Sequence, residues 1–236
     1  MDTLFGRRIT FSALSNFSNL NKATQRHLKN VYASLALATL SAALGAFVFF
    51  FTQFRATLLA SLGSIVILLV LYATPHSVEN LKKRLGLLCG FGFCSGISMG
   101  PLLHAVVEIN PSIIPTAFLS TCIIFACLSL ASLYAERRSY LYLGGVLMST
   151  LSLLIMMSFF NLFLRSYFTF QIELYLGLVV FCGFVLFDTQ LIVERFNLGD
   201  TDYIKHSLDL FLDFIEIFRR ILIIMSSKEK KERKRN

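Results

Sequence analysis

Asp188 interrupts an otherwise uncharged run, Leu174–Val193, and Asp209, Asp213 and Glu216 interrupt another, Ser207–Met225. Such positions are expensive for a carboxylate. An acid near the centre of a membrane helix costs about 2.5–3.5 kcal/mol, whereas each large apolar neighbour returns only about 0.3–0.6 kcal/mol. Asp209, Asp213 and Glu216 stand at i, i+4 and i+7, one face of a helix. Asp188 lies seven residues before Arg195, and Asp213 eight residues after Lys205. At 1.5 Å per residue the two are about 10 and 12 Å below one surface. On antiparallel neighbours they can face each other. Two charges about 4 Å apart repel by about 4 kcal/mol at an effective dielectric near 20. The pair is therefore expected to hold one proton and to titrate as a unit.

Three chemistries suit such a dyad. Ionised, Asp188 and Asp213 are hard oxygen ligands for Ca²⁺, a transient metal site; protonated, they form a neutral latch. A pH-gated cation leak follows, with Ca²⁺ as permeant ion and no cofactor. Asp209 would be a further acid at the pore mouth. Paired aspartates also serve aspartic proteases. The intramembrane kind carries a Gly-x-Gly-Asp turn, but here Asp188 follows "GFVLF" and Asp213 follows "LFL". H-E-x-x-H and G-x-S-x-G are missing too. The expectation is a non-enzyme. The third reading is a membrane scaffold that works by binding partners.

Other polar residues read more plainly. Glu216 has Arg219 and Arg220 within a turn to pair with. His76 and Glu79 lack the second pair a metal site needs, and His104 reads as a hydrogen-bonded packing residue. His206 stands beside the acids. Cys89, Cys94, Cys122, Cys127 and Cys182 all fall inside apolar runs with no zinc spacing, as small buried residues do.

The elements that must position the dyad are legible in the composition. The chain has 236 residues, 56% hydrophobic and 15% charged, with no Trp and 24 Phe. Its mean hydropathy is +0.68. A soluble domain carries about 25% charged residues. Five further uncharged runs, Val31–Phe51, Ala56–Ser77, Leu85–Val107, Ile109–Ala135 and Ser139–Leu164, approach the roughly 20 residues that cross a bilayer. Backbone groups in lipid must be satisfied internally, so these are helices. The expected fold is an all-α integral membrane protein, a seven-transmembrane-helix bundle. Its partner is the lipid bilayer, with no nucleic acid. The chain divides into a basic segment 1–29, a membrane domain 30–226 and a basic tail 227–236. In "GLLCGFGFCSGISMG" the glycine pairs four apart predict close helix packing, and Pro101 predicts a bend.

Lys and Arg set the orientation. Arg7, Arg8, Lys22, Arg26, Lys29, Lys82, Lys83, Arg84, Arg137, Arg138, Arg195 and Lys205 share one side, against Arg55 and Arg165 on the other. The N-terminus is expected in the cytosol, leaving the sequon at Asn16 unmodified. The basic tail should join it by its own charge, which seven full crossings contradict. Either the last helix re-enters or the bundle overrides the charge rule.

The stretches "VYASLAL", "ATPHS", "KRLGLLCGF", "NPSIIPTAF", "RRSYLYLGGVLMS", "LYLGLVVFCGFVLFDTQLI" and "DLFLDFIEIF" resemble the transmembrane Bax-inhibitor-motif family over nearly the whole chain. The resemblance implies that the last helix is enclosed by the other six. It also implies an endoplasmic reticulum location, a pH-dependent Ca²⁺ leak, and suppression of cell death and of the unfolded-protein response. Implied partners are anti-apoptotic Bcl-family proteins and the stress-sensor kinase-endonuclease of that membrane. The family's pH-sensing aspartates fall on Asp188 and Asp213. Asp209 matches the closer relatives only, and Glu216 stands where the family usually has an uncharged residue. The helix-2 arginine of bacterial members has no counterpart in Ala56–Ala73.

Overall fold

The computed structural model describes residues 21–52, 57–135 and 139–233. Arg7, Arg8, Asn16, Arg55, Arg137, Arg138 and residues 234–236 lie outside the described residues. Seven helices occur among the described residues. They are α1 (Lys22–Thr52), α2 (Thr57–Ala73), α3 (Leu81–Ile109), α4 (Ile113–Tyr134), α5 (Leu143–Leu164), α6 (Tyr167–Asn197) and α7 (Tyr203–Arg233). Five of them, α1, α3, α4, α5 and α6, are long and apolar enough to cross a membrane. The sixth apolar helix, α2, has 17 residues, about 26 Å at the helical rise. This is a multi-pass membrane protein.

α7 carries the most charge and is nevertheless deeply buried. Ile204, Leu208, Leu210, Phe211, Ile217 and Leu222 have no exposed surface. It packs against α1, α3, α4 and α6, while α2 packs on α3 and α5 on α6. Four helices thus form its main wall, rather than the six expected. The outer pair instead shows large apolar side chains outward, among them Leu58, Leu62 and Val66 of α2 and Leu153, Phe159 and Phe160 of α5. In water such faces would be aggregation sites; against acyl chains they are at home.

The sequence boundaries shift at both ends. α1 begins at Lys22, so part of the basic segment 1–29 is helical, with Thr24, His27 and Leu28 buried. At the other end α7 runs unbroken to Arg233, through most of the tail 227–236. Its far end meets the α3–α4 connection, where Asn110 Nδ2 donates to Glu229 Oε1 at 3.4 Å. Its near end lies beside the α2–α3 connection, tied there by Asp202 and Arg84. The two ends of α7 therefore sit at opposite ends of the bundle.

The glycine stripe packs α3 onto α1. A methyl group on Gly92 would run into the Ala38 carbonyl, one on Gly96 into that of Ala42, and one on Gly100 into the Phe49 ring. Gly45 of α1 answers with the same closeness to the Phe93 carbonyl. Ser41 Oγ donates to the Cys89 carbonyl across this seam at 2.7 Å. Gly86 and Gly90 do not join the seam: Gly86 faces open space, and Gly90 has only ordinary contact with Ile67. α3 continues through Pro101 without a break.

Gly96→Ala should push α1 from α3 and lower stability by about 1–3 kcal/mol, the usual range for overpacking. Gly86→Ala should leave it unchanged or raise it by up to about 1 kcal/mol, through helix propensity. Thermal unfolding of both variants in detergent, read side by side, checks this.

Candidate functional site

α6 and α7 are antiparallel neighbours joined by the short turn 198–202. The Asp200 N–H donates back to the Arg195 carbonyl at 2.9 Å. Gly199 takes φ +101°, in the left-handed region that favours glycine. Asp188 is nine residues before the end of α6 and Asp213 ten after the start of α7, about 14 and 15 Å along the helices. The turn thus sets the two carboxyls at matched depth on neighbouring helices. Asp213 is only 4% exposed, and its Oδ2 has no hydrogen-bond partner.

The other two acids of the face have cations. Arg195 of α6 is 3.9 Å from Asp209. Glu216 is ion-paired with Arg220, and Arg219 is 3.6 Å from it. Arg220 lies over the Phe181 ring, 4.6 Å from its centroid, in space that Gly177 leaves open. Asp213 stands between these ion pairs and makes no ion pair of its own among the described residues, with Asp188 at matched depth on α6.

Around this dyad the helices are tied by polar side chains that sequence reading did not pair. Ser132 Oγ of α4 donates to the Leu186 carbonyl of α6 at 2.7 Å. Gln190, two residues after Asp188, donates to the Ser132 carbonyl at 3.3 Å and accepts the Tyr140 N–H at 2.7 Å. Ser207 of α7 donates to the Val31 carbonyl of α1 at 2.9 Å.

The end of the bundle above the dyad holds a second cluster. His27 Nε2 and His206 Nδ1 are 3.0 Å apart, linking α1 to α7, and His27 stacks on Phe196 of α6 at 4.4 Å. Arg84 Nη2 of α3 donates to Asp202 Oδ2 at 2.6 Å, and His76 contacts both. His206 is therefore a clasp between helices that also lies 3.6 Å from Asp200, and His76 pairs with Arg84 and Asp202. The residues concerned are 179 and 118 positions apart in sequence, so no local spacing announces them. His104 is an exposed group 3.6 Å from Glu108, with its ring stacked on Phe50 at 6.2 Å. No set of three or more His, Cys, Asp or Glu side chains arranged to hold a metal ion occurs among the described residues.

Comparison with known proteins decides the family. The family model described as "Inhibitor of apoptosis-promoting Bax1" matches residues 24–230. The chain belongs to the Bax-inhibitor family. It is 54% identical to Bax inhibitor 1 of Homo sapiens over 232 residues, 98% of each chain. It is 54% identical to the Mus musculus protein of the same name, with the same coverage. Against Bax inhibitor 1 of Arabidopsis thaliana it is 42% identical over 220 residues, 93% of this chain and 88% of that one. The matched region of this Bax-inhibitor chain takes in all seven helices, the Asp188–Asp213 dyad and the histidine–arginine cluster above it.

Asp202 carries a pH prediction. Burial pushes its carboxyl up, but the hydrogen bond from Arg84, the Lys205 N–H and the charges of Arg84 and His76 outweigh this and hold it below its ordinary value. A depressed carboxyl contributes stability that is complete above its unfolded value, near 4, and is lost as pH falls through the folded value. Melting temperature should therefore drop more steeply below about pH 4 in the natural protein than in Asp202→Asn. At neutral pH that variant leaves Arg84, 4% exposed, without its anion and should be destabilised by on the order of 3 kcal/mol. Thermal melts of both proteins from pH 7 to pH 3 check it.

Proposed function

We propose that the chain is a pH-sensitive Ca²⁺ leak pathway of the endoplasmic reticulum membrane that lowers the Ca²⁺ load of that compartment. The observation that carries the reading is Asp213, buried at the centre of an acidic helix face, with no ion pair among the described residues and Asp188 at matched depth on α6. A structural acid would be expected to take a cation, as Asp209 and Glu216 do. With one proton the pair is a neutral latch between α6 and α7. When that proton leaves, repulsion loosens the latch, and the two carboxylates become oxygen ligands for a passing Ca²⁺. Asp209, nearer the end of α7 and beside Arg195, is the acid an ion would meet at the mouth.

Residence in the endoplasmic reticulum and a part in limiting cell death and the stress response rest on the family and on relatives named Bax inhibitor 1. Anti-apoptotic Bcl-family proteins and the stress-sensor kinase-endonuclease are partners on the same footing. In this reading the N-terminus is cytosolic, since the first helices set the orientation. α7 then crosses fully, surrounded mainly by α1, α3, α4 and α6, and delivers the basic tail to the opposite side. Tags at the two termini should show opposite protease sensitivity in sealed microsomes. Equal cleavage of both without detergent contradicts the orientation.

Asp188→Asn and Asp213→Asn keep shape and hydrogen bonding while removing one charge. In liposomes each should flatten the pH profile of Ca²⁺ flux and lower the flux about tenfold, equivalent to roughly 1.4 kcal/mol of ion stabilisation. Glu216→Gln should do much less, because that acid serves Arg219 and Arg220. Natural flux and pH profile in both Asp variants would refute the leak mechanism.

A further inference from the structure

α1 and α4 both lean on α7, and a groove of about 400 Å³ opens between them. One wall is Leu35, Ala36 and Thr39 of α1; the other includes Phe118, Cys122 and Ala126 of α4. Its floor is Phe214 of α7, the residue after Asp213. The Phe214 ring meets those of Phe118 and Phe125 edge-on, with centroids 5.9 and 5.6 Å apart. On α4 the lining spans Phe118 to Leu133, about 22 Å of helix.

We propose that this groove binds one acyl chain of a bilayer phospholipid. Three observations converge on that occupant. The lining is almost wholly apolar, and an apolar space gives water too few partners to stay. An empty groove would forfeit dispersion contacts along its whole length. It also lies within the depth of two crossing helices and is continuous with their lipid-facing flanks, where Leu37, Leu40, Leu119 and Ile123 are exposed. Acyl chains are therefore the apolar groups alongside it. Tyr32 and Ser129 line the groove beside Leu130 and Leu133, and their hydroxyls lie close to that of the buried Thr189 of α6, the residue after Asp188. The bound chain would thus seal the flank of α7 that α1 and α4 leave uncovered and keep lipid-side water from the dyad.

The test uses the full chain in detergent micelles with an equimolar phosphatidylcholine bearing a mid-chain diazirine. After irradiation, adducts are mapped by peptide mass spectrometry. Adducts should concentrate on the groove walls of α1 and α4. They should be about tenfold fewer on the exposed face of α5, the ratio that some two more buried methylenes imply. Ala126→Phe, which narrows the groove, should lower groove adducts by a similar factor; Leu153→Phe on α5 should not. Three results overturn the proposal. One is even labelling of α1, α4 and α5 in the natural chain. Another is undiminished groove labelling in an Ala126→Phe protein that elutes like the natural one. The third is a dimer whose groove is shielded by the second copy. If Ala126→Phe does not fold, the adduct map of the natural chain still decides.

Discussion

A helix with five charged residues between Asp209 and Arg220 cannot face lipid, and the rest of the bundle follows from that constraint. The acids of α7 cost more than its apolar residues return, so α7 is stable only where other helices replace the hydrocarbon. α1, α3, α4 and α6 do so. Each supplies a carbonyl, a cation or a ring where α7 needs one: Val31 to Ser207, Arg84 to Asp202, Arg195 to Asp209, Phe125 to Phe214. α2 and α5 are then free to be almost purely lipid-facing.

Within that frame the charges of α7 are sorted. The two outer acids are neutralised by arginines, one on α6 and the others a turn along α7 itself. The middle acid, Asp213, has no arginine partner among the described residues, and in the proposed mechanism it shares one proton with Asp188. Arg220 fits only because Gly177 and Phe181 of α6 leave it a slot and a ring to lie on. The same helix pair therefore holds both the ion pair that closes one end of the acidic face and the carboxyl pair at its centre. Charge on this face changes most readily where a single proton holds it.

Much of this was legible in the sequence, for stated physical reasons. Helix existence came from apolar runs of bilayer length, and the matched depth of Asp188 and Asp213 came from counting residues to a short turn. The pairing of Glu216 with Arg219 and Arg220 came from helical spacing alone. What escaped reading is what depends on contacts between distant segments. The buried His27–His206 pair and the Arg84–Asp202 bond join helices far apart in the chain, and nothing local marks them. The sequence left the path of α7 open between re-entry and crossing, because the charge of the tail and the number of helices point to opposite sides. The glycine seam was half legible: spacing showed that α3 has a close-packing face, but not that Gly86 and Gly90 stay off the α1 seam.

The central claim is that Asp188 and Asp213 hold one proton between them. Infrared difference spectroscopy of the reconstituted protein, stepped in pH, observes that proton through the carbonyl stretch of a protonated carboxyl. A shared proton predicts one buried-carboxyl band near neutral pH that vanishes as the pH rises and is shifted or abolished in both Asp188→Asn and Asp213→Asn. A spectrum with no protonated carboxyl at neutral pH, or a band that neither substitution touches, would contradict it.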